Sequence, residues 1–412
     1  MLQSKPKPMH NRTRSHNAHL LDIRDEQQIE AQLARLGYDA PAISSQLDCF
    51  RYGAVKLQAV AASLLPALRS RIEELGGVLA VPEPAGSGDA QTSDVLLTGT
   101  YKVLGAVADR LREGPPDLAG IAGEIDGCLG AQRRVIAWNG RELDFRSRTY
   151  VMGIVNCTPD SFYPGSRLPD FEQARAAAEA MLRAGADILD VGGESTRPGS
   201  EAMEAAEEIE RVVPVIEALR SSSDILISVD TRKVEVAERA LDAGADLVND
   251  VSALKGNRPL AELVAGRGVP VILMHMRGEP KTMQENPHYQ NAVAEILEEL
   301  SRSVEFALSC GIPEDRIIVD PGIGFGKRCR DNLEIIAGLS SLRSLKCPVL
   351  MGLSRKSFIG TVLDRPVEQR LIGTVVANTL AILNGADIIR VHDVPEAVDT
   401  VRMIDAMRRG RC

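Results

Sequence analysis

Asn156-Cys157-Thr158-Pro159-Asp160-Ser161-Phe162 follows directly on the apolar run Tyr150–Val155. That run is short and bounded by polar residues, so it reads as a buried strand, and the Thr-Pro-Asp-Ser turn fixes the polar groups that leave it. The same event recurs seven more times. Ile188–Gly193 runs into Glu194-Ser195-Thr196-Arg197-Pro198-Gly199, and Ile225–Val229 ends on Asp230-Thr231. Leu247-Val248 ends on Asn249-Asp250, and Pro270–Met274 on His275-Met276-Arg277. Ile317–Val319 ends on Asp320-Pro321-Gly322, Val349–Leu353 on Ser354-Arg355-Lys356-Ser357, and Ile388-Ile389 on Arg390-Val391-His392-Asp393. Carboxylates and amides held this way can read a planar array of donors and acceptors, and arginines can fork onto phosphate.

The elements that position these groups alternate. Helical spacing covers Phe171–Ala184, Ala202–Leu219, Lys233–Ala243, Ala292–Cys310 and Gly373–Asn384, and several of these segments close on Gly-Ala-Asp, where glycine suits the left-handed position after a helix. Strand and helix in alternation predict a parallel sheet with right-handed crossovers. Eight such units over roughly 260 residues match a (β/α)8 TIM barrel, whose sites gather at the carboxyl ends of the strands. A doubly wound sheet would concentrate chemistry near one switch point and not after all eight strands.

The 412 residues leave room for a second, smaller domain. A net charge of −9 argues against a nucleic-acid partner, and 3% aromatic residues offer no platform for stacked bases. The seven cysteines form no CxxC pair, which predicts free thiols in a reducing compartment. Residues 1–17 are polar and basic without an apolar stretch, which predicts a disordered tail and not a signal peptide. No apolar run approaches the length of a membrane span. The expectation is a cytoplasmic protein with no membrane partner.

Residues 18–130 read as an α/β domain, with helices near Glu26–Leu36, Ala54–Leu75, Lys102–Arg112 and Leu118–Leu129 and a strand at Asp94–Thr98. Residues 131–412 are the expected barrel. Its first part, 131–147, holds two short strands around Asn139-Gly140, the strongest short hairpin signal, placed to close the bottom of the barrel.

Taken in order, Asn-Cys-Thr-Pro-Asp-Ser-Phe from Asn156, Gly-Glu-Ser-Thr-Arg-Pro-Gly from Gly193, Ser-Val-Asp-Thr from Ser228 and Asn-Asp-Val-Ser from Asn249 resemble the signatures of the dihydropteroate synthase family. So do Met-His-Met-Arg-Gly from Met274, Asp-Pro-Gly-Ile-Gly-Phe-Gly-Lys from Asp320, Ser-Arg-Lys-Ser-Phe from Ser354 and Arg-Val-His-Asp-Val from Arg390. The resemblance runs from Arg134 to about Met407. It implies condensation of 6-hydroxymethyl-7,8-dihydropterin diphosphate with 4-aminobenzoate, giving 7,8-dihydropteroate and pyrophosphate in folate synthesis. Inhibition by sulfonamides, which mimic the aminobenzoate, is implied as well.

Carried onto this chain, the resemblance makes Asp230, Asn249, Met276, Asp320, Lys356 and Arg390 the pterin site. Asp320 grips the 2-amino and N3 edge, Lys356 bonds the carbonyl and N5 side, and Asp230 faces the ring as it becomes cationic. A preplaced carboxylate stabilises such charge where it develops. Asn156, Thr196, Arg197, Arg390 and His392 would take the diphosphate, with Asn156 on a Mg²⁺ ion. Arg197, Pro198, Phe325 and Ser357 would take the aminobenzoate. Asp230, Lys356, Arg390 and His392 carry the catalytic roles. A homodimer through helices late in the chain is also implied.

Bland readings stand beside these. Asp230 and Asp320 could cap helices, Asn249 could satisfy a turn, Lys356 could be a solvated lysine, and Arg390 with His392 could form a structural pair. His275 reads as a buried histidine supporting its loop. Gly322–Lys327 fails the spacing of a phosphate loop. Asp331–Glu334 reads as a capping box. A pterin-binding methyltransferase barrel would have no need of Thr196-Arg197-Pro198, the Ser354–Ser357 motif or a diphosphate clamp, and a non-catalytic scaffold would not keep every polar group. Tyr163-Pro164-Gly165-Ser166 departs from the Ser-Asp-Gly-Gly common in the family. The N-terminal domain is expected to be an oligomerisation or barrel-supporting module.

Overall fold

The computed structural model describes residues 26–82, 91–129, 135–157, 167–194, 203–279 and 282–409. The chain divides into two compact units, 1–111 and 112–412, so the boundary falls nearer the amino terminus than the expected 130. The expected tail lies outside the described residues.

The first unit contains helices α1 (Glu26–Arg35) and α2 (Ala40–Phe50), strand β1 (Tyr52–Ala61), helix α3 (Leu65–Glu74), strands β2 (Val78–Ala80) and β3 (Thr92–Thr100), and helix α4 (Tyr101–Arg112). The strands form an antiparallel sheet in the order β1-β3-β2. This corrects the helix expected over Ala54–Leu75, of which only the last part is helical. Alanine-rich composition favours a helix there, but Val55 and Leu57 are buried between exposed Ala54, Lys56 and Gln58, the period of a strand. A bulge then breaks the count. Ala59 takes φ 51°, its N–H donates to Asp94 Oδ1 at 3.1 Å, and Val60 is returned to the buried face.

The second unit opens with α5 (Pro116–Leu129) and the hairpin β4 (Val135–Trp138) and β5 (Arg141–Asp144). Asn139 and Gly140 both take positive φ, 44° and 77°, as a two-residue turn of this hand requires. Then come β6 (Tyr150–Asn156), α6 (Arg167–Arg183), β7 (Ile188–Gly192), α7 (Ala205–Ser222), β8 (Leu226–Asp230), α8 (Val234–Asp242), β9 (Leu247–Asp250) and α9 (Arg258–Arg267). They are followed by β10 (Val271–Met274), α10 (Ala292–Ser309), β11 (Ile317–Asp320), α11 (Cys329–Ala337), β12 (Leu350–Gly352), α12 (Ser357–Leu363), α13 (Leu371–Leu383), β13 (Ile388–Val391) and α14 (Val394–Arg409). Strands β6 to β13 pair in parallel in the order β11-β10-β9-β8-β7-β6-β13-β12, and a bridge between Val319 and Val349 joins the two ends. The fold is the TIM barrel the alternation predicts.

The bottom of the barrel is closed by a repeated device. Three helices end in Gly-Ala-Asp, and each aspartate accepts the N–H that opens a neighbouring strand. Asp187 takes Val151, Asp246 takes Ile227 and Asp387 takes Val349, each at 2.9 Å. The hairpin packs at this end: Trp138 Nε1 donates to Asp246 O at 3.1 Å, and Ile136, Leu143 and Phe145 join the barrel core. The capping-box reading of Asp331–Glu334 shifts by three residues. Helix α11 already starts at Cys329, so Asp331 stands in its first turn and accepts from Arg328 N at 2.8 Å, while Glu334 pairs with Arg330.

Candidate active site

The carboxyl ends of the strands converge on a set of buried polar side chains. In register across the sheet, Gly192 of β7 lies beside Asp230 of β8, and Asp230 beside Asn249 of β9. Asp320 ends β11, Arg390 lies in β13, and Lys356 follows β12. Alternation along a strand places every second residue on one face, so Asp190, two residues before Gly192, points the same way. Asp190 proves to be the node. Its Oδ2 accepts from Arg390 Nε at 2.6 Å and from Asn249 Nδ2 at 3.0 Å, while Arg390 Nη2 donates to Asp230 Oδ2 at 2.7 Å. Asp190 is fully buried, and its other oxygen has no hydrogen-bond partner within the protein.

Asp190 is absent from the residues singled out above. Its signal was nonetheless present: a lone carboxylate inside the apolar run Ile188–Gly192 must either be paired or cost several kcal/mol, about 3–5 if left unpaired. Since Asp190 can only accept, Asn249 must turn its NH2 toward it, and this leaves the Asn249 carbonyl oxygen free.

Burial disfavours the charged forms here. It pushes the Asp230 carboxyl up to about 7, with Arg390 opposing the rise and Asp190 adding to it. Asp320 is raised for the same reason, although Gly322 N donates to its Oδ1 at 2.7 Å. Burial brings the Lys356 ammonium down to about 8 against the pull of Asp320. Lys356 Nζ donates to Ile323 O and lies 4.6 Å from the centre of the Phe325 ring. Behind Phe325, Val251, Met274, Met276 and Met283 form a small apolar cluster. Lysine, carboxylates and aromatic wall thus face one space.

Other residues singled out from the sequence lie at its rim. Asn156 is exposed at the end of β6, beside Gly192 in register. His392 is exposed, with Nδ1 3.0 Å from Ser354 Oγ. Ser357 is exposed as the first residue of α12. Thr196, Arg197 and Pro198 lie outside the described residues, as do Thr158–Ser166 of the first loop. His275 is a buried support: its Nε2 meets Glu299 at 3.1 Å and its Nδ1 meets Lys327 Nζ at 2.9 Å.

Among the described residues no group of three or more His, Cys, Asp or Glu could hold a metal ion. A lone carboxamide such as Asn156 fits a hard cation that leans on substrate phosphates and retains waters, and it does not fit a caged transition metal.

A family model described as pterin binding enzyme matches residues 152–392. The Synechocystis dihydropteroate synthase is 45% identical over 267 residues, 65% of this chain and 92% of its own length. The Xanthomonas albilineans dihydropteroate synthase, solved with 4-aminobenzoic acid, is 44% identical; the match covers 67% of this chain and 98% of that one, with a TM-score of 0.62. A probable bifunctional folylpolyglutamate synthase/dihydropteroate synthase of Haloferax volcanii is 40% identical over 353 residues, 83% of this chain and 42% of its own. That share exceeds what the barrel can supply, so this match reaches into the residues before it. Among the described residues no helix is long and apolar enough to cross a membrane.

Proposed function

The chain belongs to the pterin-binding enzymes and is a transferase with the dihydropteroate synthase activity, and from that premise we propose how its residues carry the reaction. The substrates are 6-hydroxymethyl-7,8-dihydropterin diphosphate and 4-aminobenzoate; the products are 7,8-dihydropteroate and pyrophosphate. The observation that carries the residue assignment is the convergence of Asp230, Asn249, Asp320, Lys356 and Arg390 at the strand ends. Asp320 accepts from the 2-amino and N3 edge of the pterin. Asn249 offers its free carbonyl oxygen, Lys356 donates to the ring carbonyl and N5 side, and Met276 walls the ring.

As pyrophosphate leaves, the pterin becomes cationic. Asp230, held by Arg390, is an anion already in place beside it, which avoids reorganisation at the moment of reaction. Arg390 spends two of its five donors on Asp190 and Asp230, so three remain for the departing diphosphate. Arg197, Thr196 and His392 complete the clamp. Asn156 would hold Mg²⁺, which supplies charge neutralisation to the diphosphate when bound. Phe325, Pro198, Arg197 and Ser357 receive the aminobenzoate, whose amine attacks the pterin methylene, and a sulfonamide would compete there.

A homodimer and a cytoplasmic location belong to the same proposal. Ile372, Val376, Leu380 and Leu383 of α13 are exposed at helical spacing, an apolar stripe suited to a second copy of the chain.

The test is pyrophosphate release by the full chain with Mg²⁺ and the pterin diphosphate, with and without 4-aminobenzoate, beside Lys356→Ala. Turnover that requires aminobenzoate, yields dihydropteroate and collapses in the variant supports the residue roles. An unimpaired variant overturns the role of Lys356.

A further inference from the structure

Lys327 is 3% exposed and, among the described residues, has no carboxylate within hydrogen-bond reach. A lysine in that position normally has a task, because burying an ammonium costs several kcal/mol unless its donors are used (of order 3–5 when uncompensated). Three polar atoms surround its Nζ. Lys327 Nζ lies 2.9 Å from His275 Nδ1, 3.3 Å from His275 O and 3.0 Å from Phe325 O. The first two contacts are on the loop after β10, and the third is on the loop after β11.

The chain continues outward. Burial takes the His275 imidazole down to about 4, so the ring is neutral near neutral pH. Its Nδ1 accepts from Lys327, and its Nε2 therefore carries the proton donated to Glu299. Glu299 in turn accepts from Arg277 Nε at 3.1 Å, and Arg277 reaches Glu295 at 3.0 Å. The Lys327 amine, whose charged form burial strongly disfavours, is thus seated at the inner end of a network anchored on α10.

The two loops meet without room to spare. A Cβ on Gly322 would stand 1.9 Å from His275 O, and one on Gly326 would stand 2.2 Å from Arg277 O. Backbone lies on backbone, and Lys327 bonds both sides of the seam. Above that seam stand the Phe325 ring and Ile323 O, the two groups that hold Lys356.

We propose that Lys327 is a positioning residue for the second substrate, a small aromatic amine: by bonding His275 Nδ1, His275 O and Phe325 O it fastens the two loops and fixes the Phe325 ring where that amine stacks. The inference rests on the synthase reading of the pocket. It assigns Lys327 no contact with either substrate. The pterin edge is read by Asp320 and Asn249, which stand on strands, and Lys356 is carried by the separate loop after β12, so losing the fastening should cost the aminobenzoate side more than the pterin.

The experiment is steady-state kinetics and calorimetric binding on the full chain and on Lys327→Met, with Lys327→Arg beside it. Lys327→Met is expected to raise KM for 4-aminobenzoate by about tenfold or more, as for leaving buried hydrogen-bond partners unsatisfied, while pterin diphosphate binding in Mg²⁺ stays within about threefold of the parent. Lys327→Arg, which keeps donors at that place, is expected to recover part of the loss. Equal weakening of both substrates, or no change in either, overturns the proposal. If Lys327→Met does not fold, Lys327→Arg decides alone: a raised KM for aminobenzoate with pterin binding within about threefold of the parent supports the proposal, and equal weakening of both, or no change in either, overturns it. Failure of the parent chain itself to bind pterin diphosphate would sink the synthase reading instead, and the two results are separable.

Discussion

Arg390 and Asp190 stand 200 residues apart in the chain and 2.6 Å apart in the barrel, where the guanidinium Nε donates to the buried carboxylate. The same oxygen holds Asn249, so one side chain orients a diphosphate-side cation and a pterin-reading amide together. Asp190→Asn keeps the size and one acceptor but removes the charge. We expect the variant to fold and to lose roughly thirty- to hundredfold in kcat/KM, about 2–3 kcal/mol of transition-state stabilisation. Kinetics with a thermal melt checks it. A parental rate would show that Asp190 plays no part in orienting Arg390.

The raised Asp230 carboxyl gives a pH dependence with a definite sign. Its ordinary value is 3.8 and burial lifts it to about 7, so between these the native state binds more protons than the unfolded chain. Whatever stability the neutral acid contributes is complete below the ordinary value and is lost as pH rises through about 7. Asp230→Asn stays neutral, so its melting temperature should gain on the parent more at pH 8 than at pH 5. Activity runs the other way. The anion is the working form, and kcat/KM of the parent should fall on the acid side with a midpoint near 7. A profile flat from pH 5 to 8 would remove Asp230 from its role.

Much of this was legible in the chain. The eight strand ends could be read because each couples an apolar run to a polar turn, and the barrel follows from their alternation. Asp230, Asn249, Asp320 and Lys356 stood out for the same reason. Asp190 did not, because it lies two residues before its strand's end and only a partner distant in sequence explains a charge there. Lys327 was read only as part of a failed phosphate loop, since nothing local reveals its bond to His275. In the first unit, the bulge at Ala59 disguised a strand as a helix by shifting the count of buried residues by one.

Gly322 separates stability from chemistry. Its φ is +64°, and an added Cβ would overlap His275 O, so Gly322→Ala must push two loops apart. The loss should be roughly 2–4 kcal/mol in denaturant unfolding, with pterin binding weakened because the added Cβ displaces Gly322 itself, whose N–H holds Asp320, a bond that loss of Lys327 leaves in place. Gly256→Ala is a useful contrast: it too has positive φ, 71°, but nothing lies within 4 Å of its Cβ. It should carry only the smaller conformational penalty, about 1–2 kcal/mol, and leave pterin binding alone. Equal losses in the two variants would mean that the contact with His275 O is not what Gly322 protects.

The stripe on α13 makes the last prediction, about assembly. Ile372 is 71% exposed and Val376 is 64% exposed, one helical turn apart, with Leu380 and Leu383 continuing the same face. Isolated apolar side chains on a surface are ordinary, but four in register on one helix form a patch that a partner would cover. A symmetric dimer brings the same patch from both copies, so one substitution acts twice. Ile372→Glu with Val376→Lys should therefore convert a dimer to a monomer in sedimentation velocity. The pocket groups Asp190, Asp230, Asn249 and Asp320 all come from strands β7, β8, β9 and β11, away from α13 in the chain. Pterin diphosphate binding per chain should accordingly remain within about threefold of the parent in the monomer, since the variant removes no group that touches it. A parent that sediments as a monomer would refute the dimer, and a variant that still sediments as a dimer would move the interface to another face.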